Sequence, residues 1–154
     1  LYIVNAVQEE IGLRGAEMIA HRIKPNVAII TDVCHDTTAP LYNKVTSGDQ
    51  TAGKGPVLTY GASVHKKLLD LIIAKAKDKS IPFQRAAASR VTGTDTDAFA
   101  YSNEGVPSAL ISLPLKYMHT TVETVSKDDI EQVINLIYEF LVDFDPSFDF
   151  RYIS

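Results

Sequence analysis

Tryptophan is absent from these 154 residues, and cysteine occurs once, as Cys34. Without an indole there is no broad platform for stacking on sugar rings, and aromatics reach only 8% of the residues. A single thiol cannot close an internal disulfide, so a reducing cytoplasm is the expected compartment. Positive charge is not in surplus either: 15 Lys and Arg stand against 19 Asp and Glu, a net charge of −4. A nucleic-acid partner, held through its phosphates, is therefore not expected. No apolar run is long enough for a bilayer-spanning helix, so no membrane partner is expected. The sequence opens at Leu1 inside an apolar run rather than on a leader, and an N-terminal portion is expected to be missing.

What is present is ordinary globular material. Hydrophobic residues make up 45%, charged residues 22%, with 8 Gly and 7 Pro, and the length suits one domain. LYIVNAV (1 to 7) and VAIITDV (27 to 33) read as fully buried strands, the second as a central parallel one. Between them GLRGAEMIAHRI repeats apolar residues at helical spacing up to Pro25, completing a βαβ unit. Residues 34 to 55 are polar and aperiodic, a long loop of the kind that often carries function. PVLTYG and PFQRAAA read as short strands flanking an amphipathic helix over 63 to 80, with Ser63 as its expected N-cap. A short helix follows Asp97, PSALISLP (107 to 114) is another strand, and Ser126 caps a last helix whose acidic first turn holds Asp128 and Asp129. The expected architecture is an α/β domain, three-layered α/β/α, with a mainly parallel central sheet that is incomplete at the N-terminus.

In open α/β sheets ligands bind beyond the carboxyl ends of the strands. Glu9 and Glu10 follow the first apolar run, Asp32 closes the second, Asp95 and Asp97 follow a later strand, and His119 follows the strand ending near Pro114. Carboxylates with an imidazole are a donor set that Zn²⁺, Co²⁺ or Mn²⁺ accepts. Glu9 and Glu10 also suit a solvated acidic turn ahead of a helix. Asp32 is harder to explain without a partner, because an unpaired charge on a buried strand is costly. Neighbouring residues of a regular strand face opposite ways, so both glutamates can serve one site only if the strand has ended, and Gly12 agrees with such a break. Lys54, between two glycines, suits either contact with a substrate or a tight turn. Thr94, Asp95 and Asp97 suit either a pocket lining or a capped helix start.

Five segments carry a resemblance. VQEEIGLRGAE, ITDVCHDTTAP, GKGPVL, GTDTDAF and LKYMHTTVE are similar, in that order and over essentially the whole chain, to segments of the glutamyl or tetrahedral aminopeptidases, metallopeptidase family forty-two. The resemblance implies a zinc-peptidase-like fold and a dinuclear metal aminopeptidase acting on peptide N-termini through metal-activated water. It makes Glu9 the general base, Glu10 and His119 ligands of one divalent ion and Asp32 a ligand of the other. Lys54, Thr94, Asp95 and Asp97 become substrate-binding residues or supports of the ligands. It further implies two metal ions (Zn, Co or Mn), a peptide substrate and a homo-oligomer. Two further ligands belong to sequence preceding Leu1, so residues 1–154 correspond to the C-terminal portion of a catalytic domain whose N-terminal portion and inserted β domain are absent. Such a chain alone is expected to be inactive. Some relatives are labelled endoglucanases, so the alternatives are a two-carboxylate glycoside hydrolase, which a chelator would leave active, and an inactive fragment with a structural role.

Overall fold

A computed structural model describes residues 1–40 and 42–152. Its elements in chain order are α1 (Arg14–Ile23), β1 (Ala28–His35), α2 (Lys44–Ser47), β2 (Val57–Tyr60), α3 (Lys66–Asp78), β3 (Gln84–Ala87), α4 (Asp95–Ala100), β4 (Ser108–Lys116), β5 (Thr124–Val125) and α5 (Lys127–Val142). The strands form one sheet in the order β1-β4-β2-β3, with β5 paired to the end of β4. α1 and α4 pack together on one face, and α3 and α5 cover the other. The expected three-layered α/β fold with a mostly parallel sheet is thus the one observed. The parallel ladders run over eight residue pairs between β1 and β4 and four between β2 and β3. The two halves meet antiparallel, through Leu58 opposite Ile111 and Val57 opposite Ser112.

The core lies between the sheet and the α3/α5 layer, where Leu58, Leu68, Leu69, Ile72, Ile111 and Leu136 are fully buried. Each helix enters it through the face its sequence period marks: Leu68, Leu69, Ile72, Ile73 and Ala76 in α3, and Val133, Leu136 and Phe140 in α5. On the other face α1 approaches closely because its buried residues are small, Gly15, Ala16 and Ala20.

Several expectations need correction. Residues 1 to 7 form no strand, and Leu1 and Ile3 are each 93% exposed. Apolar β-formers make a strand only beside a partner, and among the described residues none runs alongside them. Among the described residues β1 lies at the edge of the sheet rather than at its centre, and it continues to His35, placing Asp32 inside the strand instead of at its end. Nor is the run fully buried as expected, since only Ala28 and Ile30 of β1 are buried. α3 begins three residues beyond Ser63, whose hydroxyl donates to Asp97 instead of capping the helix. The predicted cap at Ser126 is present, its Oγ accepting from the Asp129 N–H at 3.4 Å.

Candidate active site at the β1 and β4 ends

The turn that carries the two glutamates is closed by its own backbone. Gly12 and Leu13 both donate to the Glu9 carbonyl, at 3.1 and 3.0 Å, and Gly15 donates to the Val7 carbonyl at 2.9 Å. Gln8 (φ 60°), Gly12 (φ 114°) and Leu13 (φ 56°) all take the left-handed conformation. The extended run therefore breaks at Gln8, one residue before the pair, which frees Glu9 and Glu10 from the alternation of a strand. Left-handed Gln and Leu store backbone strain, a feature that clusters at functional sites.

His119 reaches the same place from the other end of the chain. Beyond β4 it too is left-handed (φ 63°), and its backbone N–H donates to Glu123 Oε1 at 2.5 Å. Its Nε2 then stands 3.2 Å from Glu10 Oε1 across 109 residues of sequence. Both side chains are open to solvent, 66% and 74% exposed. Asp32, half-buried on β1, accepts the Val33 N–H at 2.7 Å. Burial pushes its carboxyl up and Glu10 adds to this, against the pull of that hydrogen bond. Glu9 is likewise pushed up, first by burial and then by repulsion from Asp32, Glu10 and Asp95, with His119 opposing. Asp95 is raised by burial and by Asp32, and its Oδ1 is buried without a hydrogen-bond partner. Glu9, Glu10, Asp32, Asp95 and His119 thus share one electrostatic neighbourhood.

Three other singled-out residues are engaged locally. Thr94 caps α4, its side chain accepting from the Thr96 N–H. Asp97, nearly buried, accepts the Ser63 hydroxyl and the N–H groups of Thr92 and Gly93 at 3.1 and 2.9 Å, which outweigh burial and hold its carboxyl low. Lys54 is exposed on a turn whose flanking N–H groups, Gly53 and Gly55, both donate to the fully buried Asp129, at 2.7 and 2.8 Å. Asp129 therefore serves as an anchor for a distant loop, beyond any effect on its own helix dipole. His35 hydrogen-bonds Tyr42, 2.7 Å from Nδ1 to the phenol oxygen. The thiol of Cys34 is pushed up to about 12 by burial and the nearby carboxylates Asp32, Asp36 and Asp129, so it offers no thiolate at neutral pH.

Asp36 was missed by the sequence reading. It is fully buried and accepts the Thr38 N–H at 2.7 Å, the Thr38 hydroxyl at 2.5 Å and the Ala52 N–H at 3.0 Å. These bonds overcome burial and keep its carboxyl low, while Lys116 stands 3.9 Å away. It ties the long loop to the ends of β1 and β4. The Asp-x-Thr spacing was the available signal, since an aspartate commonly accepts from the backbone two residues on.

Comparison with known proteins matches residues 1–136 to the family described as M42 glutamyl aminopeptidase. The chain belongs to the M42 glutamyl aminopeptidase family. The lysyl aminopeptidase of Pyrococcus furiosus is 38% identical over 146 residues, covering 95% of this chain and 41% of that protein. The crystal structure of the TET aminopeptidase from a marine sediment Thaumarchaeota archaeon gives a TM-score of 0.84 at 33% identity, over 92% of this chain and 40% of that one. The TET1 peptidase of Pyrococcus horikoshii, described as able to assemble into a tetrahedron or a large octahedral shell, gives 0.70 at 29% identity, over 90% and 40%. The chain thus spans about two fifths of the length of these M42 relatives.

The donor chemistry of the cluster suits a borderline divalent cation, but its number is short. Among the described residues no three His, Cys, Asp or Glu side chains are grouped closely enough to hold a metal ion. Glu10 with His119 supplies a pair, and Asp32 a separate carboxylate.

Proposed function

We propose that this chain supplies part of the active site of a metal-dependent aminopeptidase, which in its complete form removes N-terminal residues from peptides. The observation that carries this is the meeting of Glu10 and His119, 3.2 Å apart, beside Glu9 and Asp32. Glu10 and His119 would hold one divalent ion and Asp32 the other, with remaining donors contributed by further sequence, since a tetrahedral site needs four. Zinc, cobalt or manganese there would polarise the scissile carbonyl and acidify water. Glu9 would act as general base. Burial, and after it the carboxylates around it, raise its proton affinity, which moves it toward the range in which it can take and pass on a proton. Asp95 would face the bound peptide, Lys54 would approach it from the long loop, and Thr94 and Asp97 would hold the start of α4 in place.

Residues 1–154 would then be the C-terminal portion of a catalytic domain, acting in the cytoplasm. The assembly described for the TET1 relative supports a homo-oligomer. Family membership and the lack of tryptophan favour peptide over glycan as substrate.

Two outcomes test this. Full-length protein carrying His119→Ala should contain less metal than wild type by elemental analysis, and equal content would remove His119 from the ligand set. The 154-residue chain alone should release no amino acids from peptides; chelator-sensitive turnover by it would contradict the shortage of donors.

A further inference from the structure

Beyond residue 136, where the family match ends, the chain does something the active site does not account for. After α5 it turns back across the start of α3 as an aromatic ladder. Phe144 stacks on Phe150 (6.4 Å between centroids, 14° between planes), Phe150 and His65 meet edge to face (5.6 Å, 86°), and Tyr152 stacks on His65 (4.5 Å, 20°). The Tyr152 hydroxyl accepts the Lys66 N–H at 2.9 Å. That N–H is one of the unpaired donors at the start of α3, and His65 at the cap position offers no side-chain bond. A residue 86 positions away thus caps the helix. Lys67 completes the hold, its Nζ 2.5 Å from the Arg151 carbonyl and 5.5 Å from the Tyr152 ring centroid.

We propose that residues 144–152 form a strap whose closure over α3 requires an uncharged His65, so that mild acid loosens it.

The geometry explains the requirement. His65 Nδ1 is buried with no hydrogen-bond partner, and a proton placed there would be repelled by the Lys67 ammonium, with the Phe150 backbone only partly offsetting the cost. The charged and titratable groups around the ring are Lys66, Lys67 and Asp70 on α3, Asp149, Arg151 and Tyr152 on the strap, and Tyr60 at the end of β2. Asp149, held down to about 2 by Arg151, stays ionised between pH 7.5 and 5.5, and Lys66 and Arg151, both pushed up by their carboxylate partners, stay charged. His65 is the group in this set that changes. Burial lowers its proton affinity below the ordinary 6.5 and Lys67 adds to this, outweighing the Phe150 backbone, which favours the charged ring. Closure therefore favours the neutral ring: its full strength is present above the ordinary value and declines as pH falls below it. Phe148 and Asp145 of the strap also wall a cleft of about 310 Å³ with Leu71, Ala74 and Phe140, so loosening opens an apolar surface between α3 and α5.

The test is hydrogen exchange at the Lys66 amide in the full-length protein at pH 7.5 and 5.5, with intrinsic rates divided out and the Leu110 amide of β4 as reference. Protection at Lys66 should fall by up to about tenfold at the lower pH, the limit set by one histidine that titrates near 6.5 when released. Leu110 should not change, and His65→Phe should abolish the difference. Equal protection at both pH values, or the same fall in His65→Phe, would overturn the proposal. Should that variant not fold, the wild-type Tyr152 ring resonances must follow the His65 titration; resonances that stay fixed overturn it equally.

Discussion

Glu9→Gln in the full-length protein should cut peptide hydrolysis by at least roughly 10²-fold, the loss typical of a missing general base, while metal content stays unchanged. The split between the two readouts follows from the turn. Glu9 and Glu10 are adjacent, yet the break at Gln8 presents them separately, Glu10 to His119 and Glu9 to the field of Asp32 and Asp95. A glutamine keeps the size and the turn but can neither accept a full proton nor repel its neighbours. Near-normal turnover would take Glu9 out of the mechanism. Lost metal in this variant would instead place Glu9 among the ligands.

Asp129→Ala should weaken folding far more than the same change at its neighbour Asp128. The carboxylate is fully buried and both of its oxygens are occupied, by N–H groups 76 and 74 residues away. Deleting it strands the buried Gly55 donor at about 1–3 kcal/mol, while water can replace the partner of the exposed Gly53, so a loss of roughly 1–3 kcal/mol is expected, somewhat reduced because a buried charge also disappears. The loop cannot easily relax. A Cβ at Gly55 would lie 2.3 Å from the Pro82 carbonyl oxygen, which shows how tightly the backbone is seated there. Urea unfolding of Asp129→Ala beside Asp128→Ala makes the comparison, since Asp128 is exposed and should change stability by less than about 0.5 kcal/mol. Equal effects would deny Asp129 its anchoring role.

Legibility in the sequence followed the strength of the local signal. α5 could be read because its cap, acidic first turn and apolar period agree, and β4 because its run is long and largely apolar. The direction of β2 could not, since a four-residue strand carries the same letters whether it pairs parallel or antiparallel. The exposed start of the chain misled because composition marks what a strand needs, not whether a neighbour is there. At the site, the residue types could be named from the ends of the apolar runs, and the family resemblance sorted them into roles. The pairing of Glu10 with His119 is tertiary and left no local trace. Asp36, Asp97 and Asp129 show the converse: each is a carboxylate whose partners are backbone or hydroxyl donors, and sequence alone does not separate such an anchor from a ligand.

The knotted turn before α1 also ties that helix to the acidic pair. Gly15 has no room for even a methyl group, its missing Cβ falling 2.3 Å from the Val7 oxygen, so helix and acidic pair are welded end to end. The far end of α1 is tethered by Asn103, whose side chain donates to the Ala20 carbonyl at 3.1 Å. The acidic pair is therefore seated against one end of a helix whose other end is held by a residue that touches none of the chemistry.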